Sequence, residues 1–245
     1  RINEFLGLEE KEEVTGRQEA LKQSQAAVRE EDAEQDEIIA EFQHVTFGYR
    51  EQDILQDFSF QIRKGEQITL AGRTGSGKST IFKLLLGLYE PKKGNVLING
   101  RRAGTVEEKE KRQLFGYVEQ TFHQVPGTVR DQITLFDPAI TPEMAEEAAR
   151  LAGLHETVMA LEKGYDTPCM KGIFSEGQWQ LLSIARAVAA RPKILLLDEI
   201  TANLDAQTEK EVLRALQRAA DGRTVISISH RVNARMGRVI TVRML

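Results

Sequence analysis

Gly72-Arg73-Thr74-Gly75-Ser76-Gly77-Lys78-Ser79 fills every fixed position of the phosphate-loop pattern G-x-x-x-x-G-K-[ST]. That pattern makes a demand on the fold. A strand must enter the loop and a helix must leave it, so that backbone N–H groups converge on an anion at the helix N-terminus. The flanking residues meet the demand: Gln67-Ile68-Thr69-Leu70-Ala71 reads as a strand and about Lys78–Leu88 as a helix, with Pro91 and Gly94 punctuating its end. In such a loop Lys78 reaches the β- and γ-phosphates of a nucleotide and the Ser79 hydroxyl binds Mg²⁺, with Thr80 in the same candidate set. The bland alternative is a Gly/Ser-rich turn, which would need neither the strand before it nor the helix after it.

The wider pattern is that of an α/β chain. From Ile38 strand signals begin: Phe42, Val45 and Phe47, then Phe58, Phe60 and Ile62 in strict alternation, read as half-buried strands. Val96–Ile98 followed by Asn99-Gly100 predicts a hairpin, because Asn-Gly accepts the positive φ of a type I′ turn. Residues from about 121 to 190 read as mostly helical. Thr141-Pro142-Glu143 is an N-cap with proline at the first helical position, leading into Met144–Leu151. Ser175-Glu176-Gly177-Gln178 fits a capping box that opens a long helix through Ala190, and Pro192 ends it. Lys193–Leu197 carries a continuous apolar run suited to a strand buried on both faces. A helix over about Ala206–Ala219 and a second buried strand over Arg223–Ser229 follow. Strands alternating with helices predict a mainly parallel sheet covered on both sides.

Composition removes other classes. The net charge of −4 is too balanced to announce nucleic-acid binding, and no nucleic-acid partner is expected. Residues 1–41 hold 13 acids and 5 bases, leaving 24 acids and 28 bases for residues 42–245, so the acidic excess belongs to one end. Residues 9–37 are rich in Glu, Gln and Ala, with Leu21 and Val28 as the large apolar residues between Val14 and Ile38, and read as a solvated helix or linker. The single cysteine, Cys169, argues against a disulfide-stapled secreted fold. Leu84–Leu88 is the greasiest stretch and is far short of the roughly 18 to 20 residues that span a bilayer. With Arg1 rather than Met at its start, the sequence is expected to be a soluble piece of something longer.

A second chemical element stands beside the phosphate loop. Leu195-Leu196-Leu197-Asp198-Glu199 is an apolar strand delivering acids at its C-terminal end, where Asp198 would act on Mg²⁺ and Glu199 would orient and deprotonate an attacking water. With these residues in place, the chain resembles the nucleotide-binding domains of ABC transporters over about residues 40–245. Ser175-Glu176-Gly177-Gln178 after Phe174 resembles the family's signature motif, which serves the ATP held by an opposite subunit through Ser175, Gly177 and Gln178. Tyr49 resembles the aromatic residue that stacks on adenine, and Gln120 the glutamine that touches Mg²⁺ or the attacking water and couples to the membrane partner. Ala202-Asn203-Leu204-Asp205 resembles the loop that crosses the dimer interface, and His230 the switch histidine that contacts the γ-phosphate. Within the family the exporter type is the nearer match: Arg1–Leu6 resembles the stretch leaving the last membrane helix, and Gly127–Ile133 an exporter segment after Gln120.

The resemblance implies an α/β P-loop NTPase of the ABC ATPase type, with a mainly parallel core sheet, an antiparallel β subdomain and a helical signature subdomain. Residues 1–40 would be an acidic linker following a transmembrane domain, 41–119 and 190–245 the ATP-binding core without its closing helices, and 120–189 the helical subdomain. ATP and Mg²⁺ are the implied cofactors, and the implied partners are a transmembrane domain of the same transporter and a second ATPase domain, identical or paralogous. The place is the cytoplasmic face of the cell membrane, and ATP hydrolysis would power export. The rivals are a non-transport ABC ATPase of translation or DNA repair, and a module that grips ATP without turning it over. Departures from the family pattern are Glu176 in place of the second signature glycine, expected to point away from phosphate, Trp179 in place of a basic residue, and a short Cys169–Ile173 segment lacking the usual acid.

Overall fold

The structure, a computed structural model, describes residues 37–200, 204–229 and 236–242. The expectations for Arg1–Leu6, the acidic arm up to residue 36, Ala202-Asn203 and His230 lie outside the described residues.

Two sheets carry the fold. In the first, β1 (Ile38–Phe47) pairs antiparallel with β2 (Leu55–Arg63) and with β4 (Lys93–Ile98), and β5 (Arg101–Arg102) completes the order β2-β1-β4-β5. Its apolar alternation works as the pattern predicts: Phe42 stacks on Phe60 at 4.7 Å and meets Phe58 edge-on at 5.9 Å. The β4–β5 turn has φ of 48° at Asn99 and 73° at Gly100, as the Asn-Gly signal requires. Gly94 is a correction. Instead of punctuating a helix end it sits inside β4, where an added Cβ would stand 2.2 Å from the Gln43 carbonyl oxygen of β1.

The second sheet has the order β6-β7-β8-β3-β9, built from β3 (Gln67–Ala71), β6 (Phe115–Val118), β7 (Ile194–Asp198), β8 (Thr224–Ile228) and β9 (Arg238–Thr241), and every neighbouring pair is parallel. The apolar run in β7 is explained by its alternation. Ile194 and Leu196 join one buried cluster with Ile68, Leu70, Ile81 and Phe82, while Leu195 and Leu197 join another with Leu182 and Ile184. A strand with two buried faces needs apolar residues at both parities.

Helices cover the sheet: α1 (Lys78–Leu85), α2 (Glu108–Leu114), α3 (Val129–Thr134), α4 (Pro142–Ala152), α5 (His155–Met159), α6 (Glu176–Ala189) and α7 (Ala206–Ala220). α1 stops at Leu85 rather than at Leu88. Gly87 turns left-handed at φ 66°, and an added Cβ there would meet the Ala103 carbonyl oxygen at 2.5 Å, so the chain leaves the helix to pass close to Ala103, just after β5. Thr141 caps α4 with Pro142 at its first position, and Ser175 caps α6 in a reciprocal box with Gln178. α6 is the hub of the helical part, with α3, α4 and α7 packed against it.

Candidate nucleotide site

A parallel sheet gathers the C-terminal ends of its strands on one edge, which is where ligands of open α/β sheets bind. Ile228 of β8 pairs with both Leu70 of β3 and Asp198 of β7, so Asp198 lies level with Leu70 and two strands away, roughly 10 Å. The phosphate loop leaves β3 just beyond that level, and Gln120 follows β6 on the far side of β7. One strand register therefore brings three sequence-distant candidates to a single edge.

The loop itself is shaped for an anion. Gly72, Gly75 and Gly77 take φ of 157°, 84° and 94°, a backbone that turns successive N–H groups inward. Gly72 also permits a close approach, since an added Cβ would stand 2.4 Å from the Val242 carbonyl oxygen. Lys78 Nζ donates to the loop's own carbonyls, to Gly72 O at 3.1 Å and Arg73 O at 2.9 Å, bridging the space its loop encloses. Burial lowers the Lys78 pKa, while the carboxylates of Glu199 and Asp198 work against that and favour its charge. Ser76 is 1% exposed and its hydroxyl has no hydrogen-bond partner among the described residues. A buried hydroxyl without a partner is costly, and a phosphate oxygen would satisfy it. Ser79 and Thr74 are exposed at the mouth, and Thr80 is buried behind it.

Tyr49 stands beside this loop. Phe47 at 5.1 Å and Tyr89 at 5.2 Å meet its ring nearly at right angles, Lys83 Nζ lies 5.4 Å from its centroid, and its hydroxyl is 3.4 Å from Thr80 Oγ1. Thus braced, the ring is still 45% exposed, an aromatic surface open for stacking.

Across the edge, Tyr117 Oη donates to Asp198 Oδ2 at 3.2 Å. Burial raises the Asp198 pKa, and the bond from Tyr117 and the charge of Lys78 pull it back. Glu199 takes a left-handed backbone, φ 47°, with its N–H donating to Ile228 O at 3.1 Å. A non-glycine residue held there stores strain of about 1 kcal/mol, common at functional positions. Gln120 is exposed, and its carbonyl accepts from Gln180 Nε2 at 3.1 Å. Among the described residues no three His, Cys, Asp or Glu side chains converge on a metal. The available set of Ser79 hydroxyl, Asp198 carboxylate and Gln120 amide is all oxygen, the chemistry of a hard cation that takes its other ligands from phosphate and water.

Ser175, Gly177 and Gln178 open α6 on the helical side, and no hydrogen bond among the described residues joins them to the phosphate loop. Gly177 has a packing reason of its own, because an added Cβ would stand 2.1 Å from Thr208 Cγ2 on α7. Thr208 is in turn held by Asp205, which caps α7 and accepts from the N–H groups of Gln207 and Thr208. Glu176 is exposed, and Trp179 packs between Phe122 at 5.0 Å and Phe174 at 5.2 Å. Sequence reasoning missed Tyr117, Lys83 and Tyr89. Lys83 and Tyr89 reach Tyr49 across 34 and 40 residues of chain, and Tyr117 meets Asp198 only through strand pairing, so no local signal marks them.

Comparison with known proteins agrees with this geometry. The family described as ABC transporter matches residues 55–202. A probable multidrug resistance ABC transporter ATP-binding/permease protein of Bacillus subtilis (strain 168), YheH, is 39% identical over 79% of this chain and 29% of its own. The alpha-hemolysin translocation ATP-binding protein HlyB of Escherichia coli O157:H7 is 40% identical over 79% of this chain and 28% of its own. Among solved structures, a bacterial Atm1-family ABC exporter with ATP bound superposes with a TM-score of 0.75 and 31% identity, over 85% of this chain and 38% of that one. The chain spans about a third of the length of the curated relatives it matches.

Proposed function

The chain belongs to the ABC transporter family, and from that membership we propose that it is the ATP-binding and ATP-hydrolysing domain of an exporter, working as one of two such domains beneath a membrane domain. The observation that carries the reading is the phosphate loop: three positive-φ glycines, a lysine that donates to the loop's own carbonyls and a buried serine hydroxyl without a hydrogen-bond partner among the described residues, level with a carboxylate two strands away.

In this reading the Tyr49 ring takes the adenine face, and the loop amides of Arg73–Ser79 take the phosphates. Lys78 Nζ exchanges the Gly72 and Arg73 carbonyls for β- and γ-phosphate oxygens, a trade of neutral acceptors for charged ones. Ser79, Asp198 and Gln120 would hold Mg²⁺, which when bound supplies positive charge against the phosphate oxygens. Glu199 accepts the proton of a water attacking the γ-phosphorus in line, and Lys78 and His230 stabilise the charge that develops. Ser175, Gly177 and Gln178 serve the nucleotide of the opposing domain, which fits their separation from this chain's own loop, and Asp205 follows the crossing loop between the two. Closure on ATP and reopening after hydrolysis would then drive the membrane domain.

The relatives named above include an ATP-binding/permease protein, which supports a membrane domain in the same polypeptide and a place at the inner face of the membrane. No helix among the described residues is long and apolar enough to cross a membrane itself. Sedimentation of the Glu199→Gln chain with and without MgATP tests the reading. Dimer with MgATP, monomer without it and monomer for Lys78→Ala are expected; a monomer that takes up no nucleotide would contradict it.

A further inference from the structure

The proposed site contains one contact that neither the phosphate-loop pattern nor the acidic pair calls for. Tyr117 lies on β6, one strand over from Asp198, and its hydroxyl donates to Asp198 Oδ2 at 3.2 Å. The same ring meets Phe82 edge-on at 5.9 Å, and Phe82 is on α1, the helix whose first turn carries Ser79. Tyr117 thus touches two of the elements that present oxygen ligands at the sheet edge, the strand of Asp198 and the helix of Ser79. An aspartate's carboxylate turns in a broad torsional well and has two equivalent oxygens. A donor fixed to Oδ2 limits that freedom. It leaves Oδ1 outside that bond and narrows the torsional range of the carboxylate.

We propose that Tyr117 is a positioning residue for the divalent cation, restraining through Oδ2 the Asp198 carboxylate that, with Ser79, would hold it. This deepens the reading above and rests on it. The polar contact of Tyr117 at the site is with Asp198. It acts through Asp198, as hydrogen-bond partners of ligating carboxylates do elsewhere. The ring and the hydroxyl have separable jobs: the ring packs on Phe82, and the hydroxyl alone orients the carboxylate.

The test uses the full chain, Mn²⁺ as a paramagnetic stand-in for Mg²⁺, and a non-hydrolysable ATP analogue. Free Mn²⁺ is followed by electron paramagnetic resonance at saturating nucleotide, and nucleotide affinity is measured separately in EDTA. Tyr117→Phe keeps the ring and is expected to weaken Mn²⁺ binding about tenfold, the size typical for losing such a partner, with metal-free nucleotide affinity unchanged. In an Asp198→Ala background, where the hydroxyl's acceptor is gone, the same substitution is expected to add nothing. Undiminished Mn²⁺ affinity in Tyr117→Phe would overturn the proposal, and so would an equal loss of metal-free nucleotide affinity or a further metal loss in the Asp198→Ala background. A wild-type chain that bound the analogue in EDTA but took no Mn²⁺ with it would overturn the proposal and the magnesium site beneath it, while leaving nucleotide binding in place.

Discussion

At the scale of single residues, the phosphate loop separates conformation from contact. Gly75 and Gly77 share a left-handed backbone, φ 84° and 94°, but a Cβ on Gly75 meets nothing within 4 Å, whereas one on Gly77 stands 2.9 Å from Ile54 Cγ2 and 3.1 Å from Leu55 Cδ2. Gly75→Ala should therefore cost only the left-handed penalty, about 1 kcal/mol, and Gly77→Ala about 2–3 kcal/mol with crowding added. Urea unfolding of the two variants checks the order, and equal costs would contradict it. Tyr49 offers a second test. Phe47 and Tyr89 meet its ring nearly at right angles and the residue is still 45% exposed, so Tyr49→Ala should weaken ATP by about 1–3 kcal/mol, as loss of a base stack does, while leaving inorganic triphosphate unaffected. Competition titrations with both ligands would show it. The residues read most directly from the sequence are those whose pattern is local, Gly72 to Ser79 and Asp198-Glu199. Tyr117, Lys83 and Tyr89 were illegible because pairing between distant strands and packing between distant loops put them there.

At the scale of elements, caps and strand faces were legible and strand order was not. Thr141-Pro142 and Ser175–Gln178 announce helix starts because the capping side chain and the amide it serves lie within one turn. The apolar run of β7 announces two buried faces, but nothing in it says that β6 and β8 are its neighbours, since parallel partners are joined by long crossovers. Ser175 is both a cap and a candidate phosphate ligand, and substitution can divide the roles. Ser175→Asp keeps a good cap and brings a negative charge, so its melting temperature should match the wild type while MgATP-driven association is lost. Loss of melting temperature with association intact would assign Ser175 to the helix alone. The sheet's outer strand supplies a pH test. Burial by itself would raise the Glu66 pKa, but the Arg238 guanidinium at 2.6 Å and the Arg63 N–H hold it below its ordinary 4.5. A depressed carboxylate stabilises above its unfolded pKa and loses that contribution as pH falls through its folded pKa. Glu66→Gln should cost about 0.5–1 kcal/mol at neutral pH and progressively less as the pH falls below the ordinary carboxylate range and through the folded pKa, read from urea midpoints. A cost that persisted at low pH would mean that packing rather than charge ties β9 to β3.

At the scale of the whole molecule, the parallel sheet gathers the phosphate loop, Asp198 and Gln120 at one edge, yet among the described residues Ser175, Gly177 and Gln178 share no hydrogen bond with that edge. The proposed site, completed by a second ATPase domain, identical or paralogous, would account for both facts. It also predicts that one domain alone is a poor catalyst and that the rate depends on encounter. The decisive measurement is Mg²⁺-dependent ATP hydrolysis per molecule as a function of protein concentration, for the wild-type chain and for Glu199→Gln. The shared-site account predicts a specific rate that climbs with concentration in the wild type and is abolished in Glu199→Gln. A rate independent of concentration and indifferent to Glu199 would contradict it.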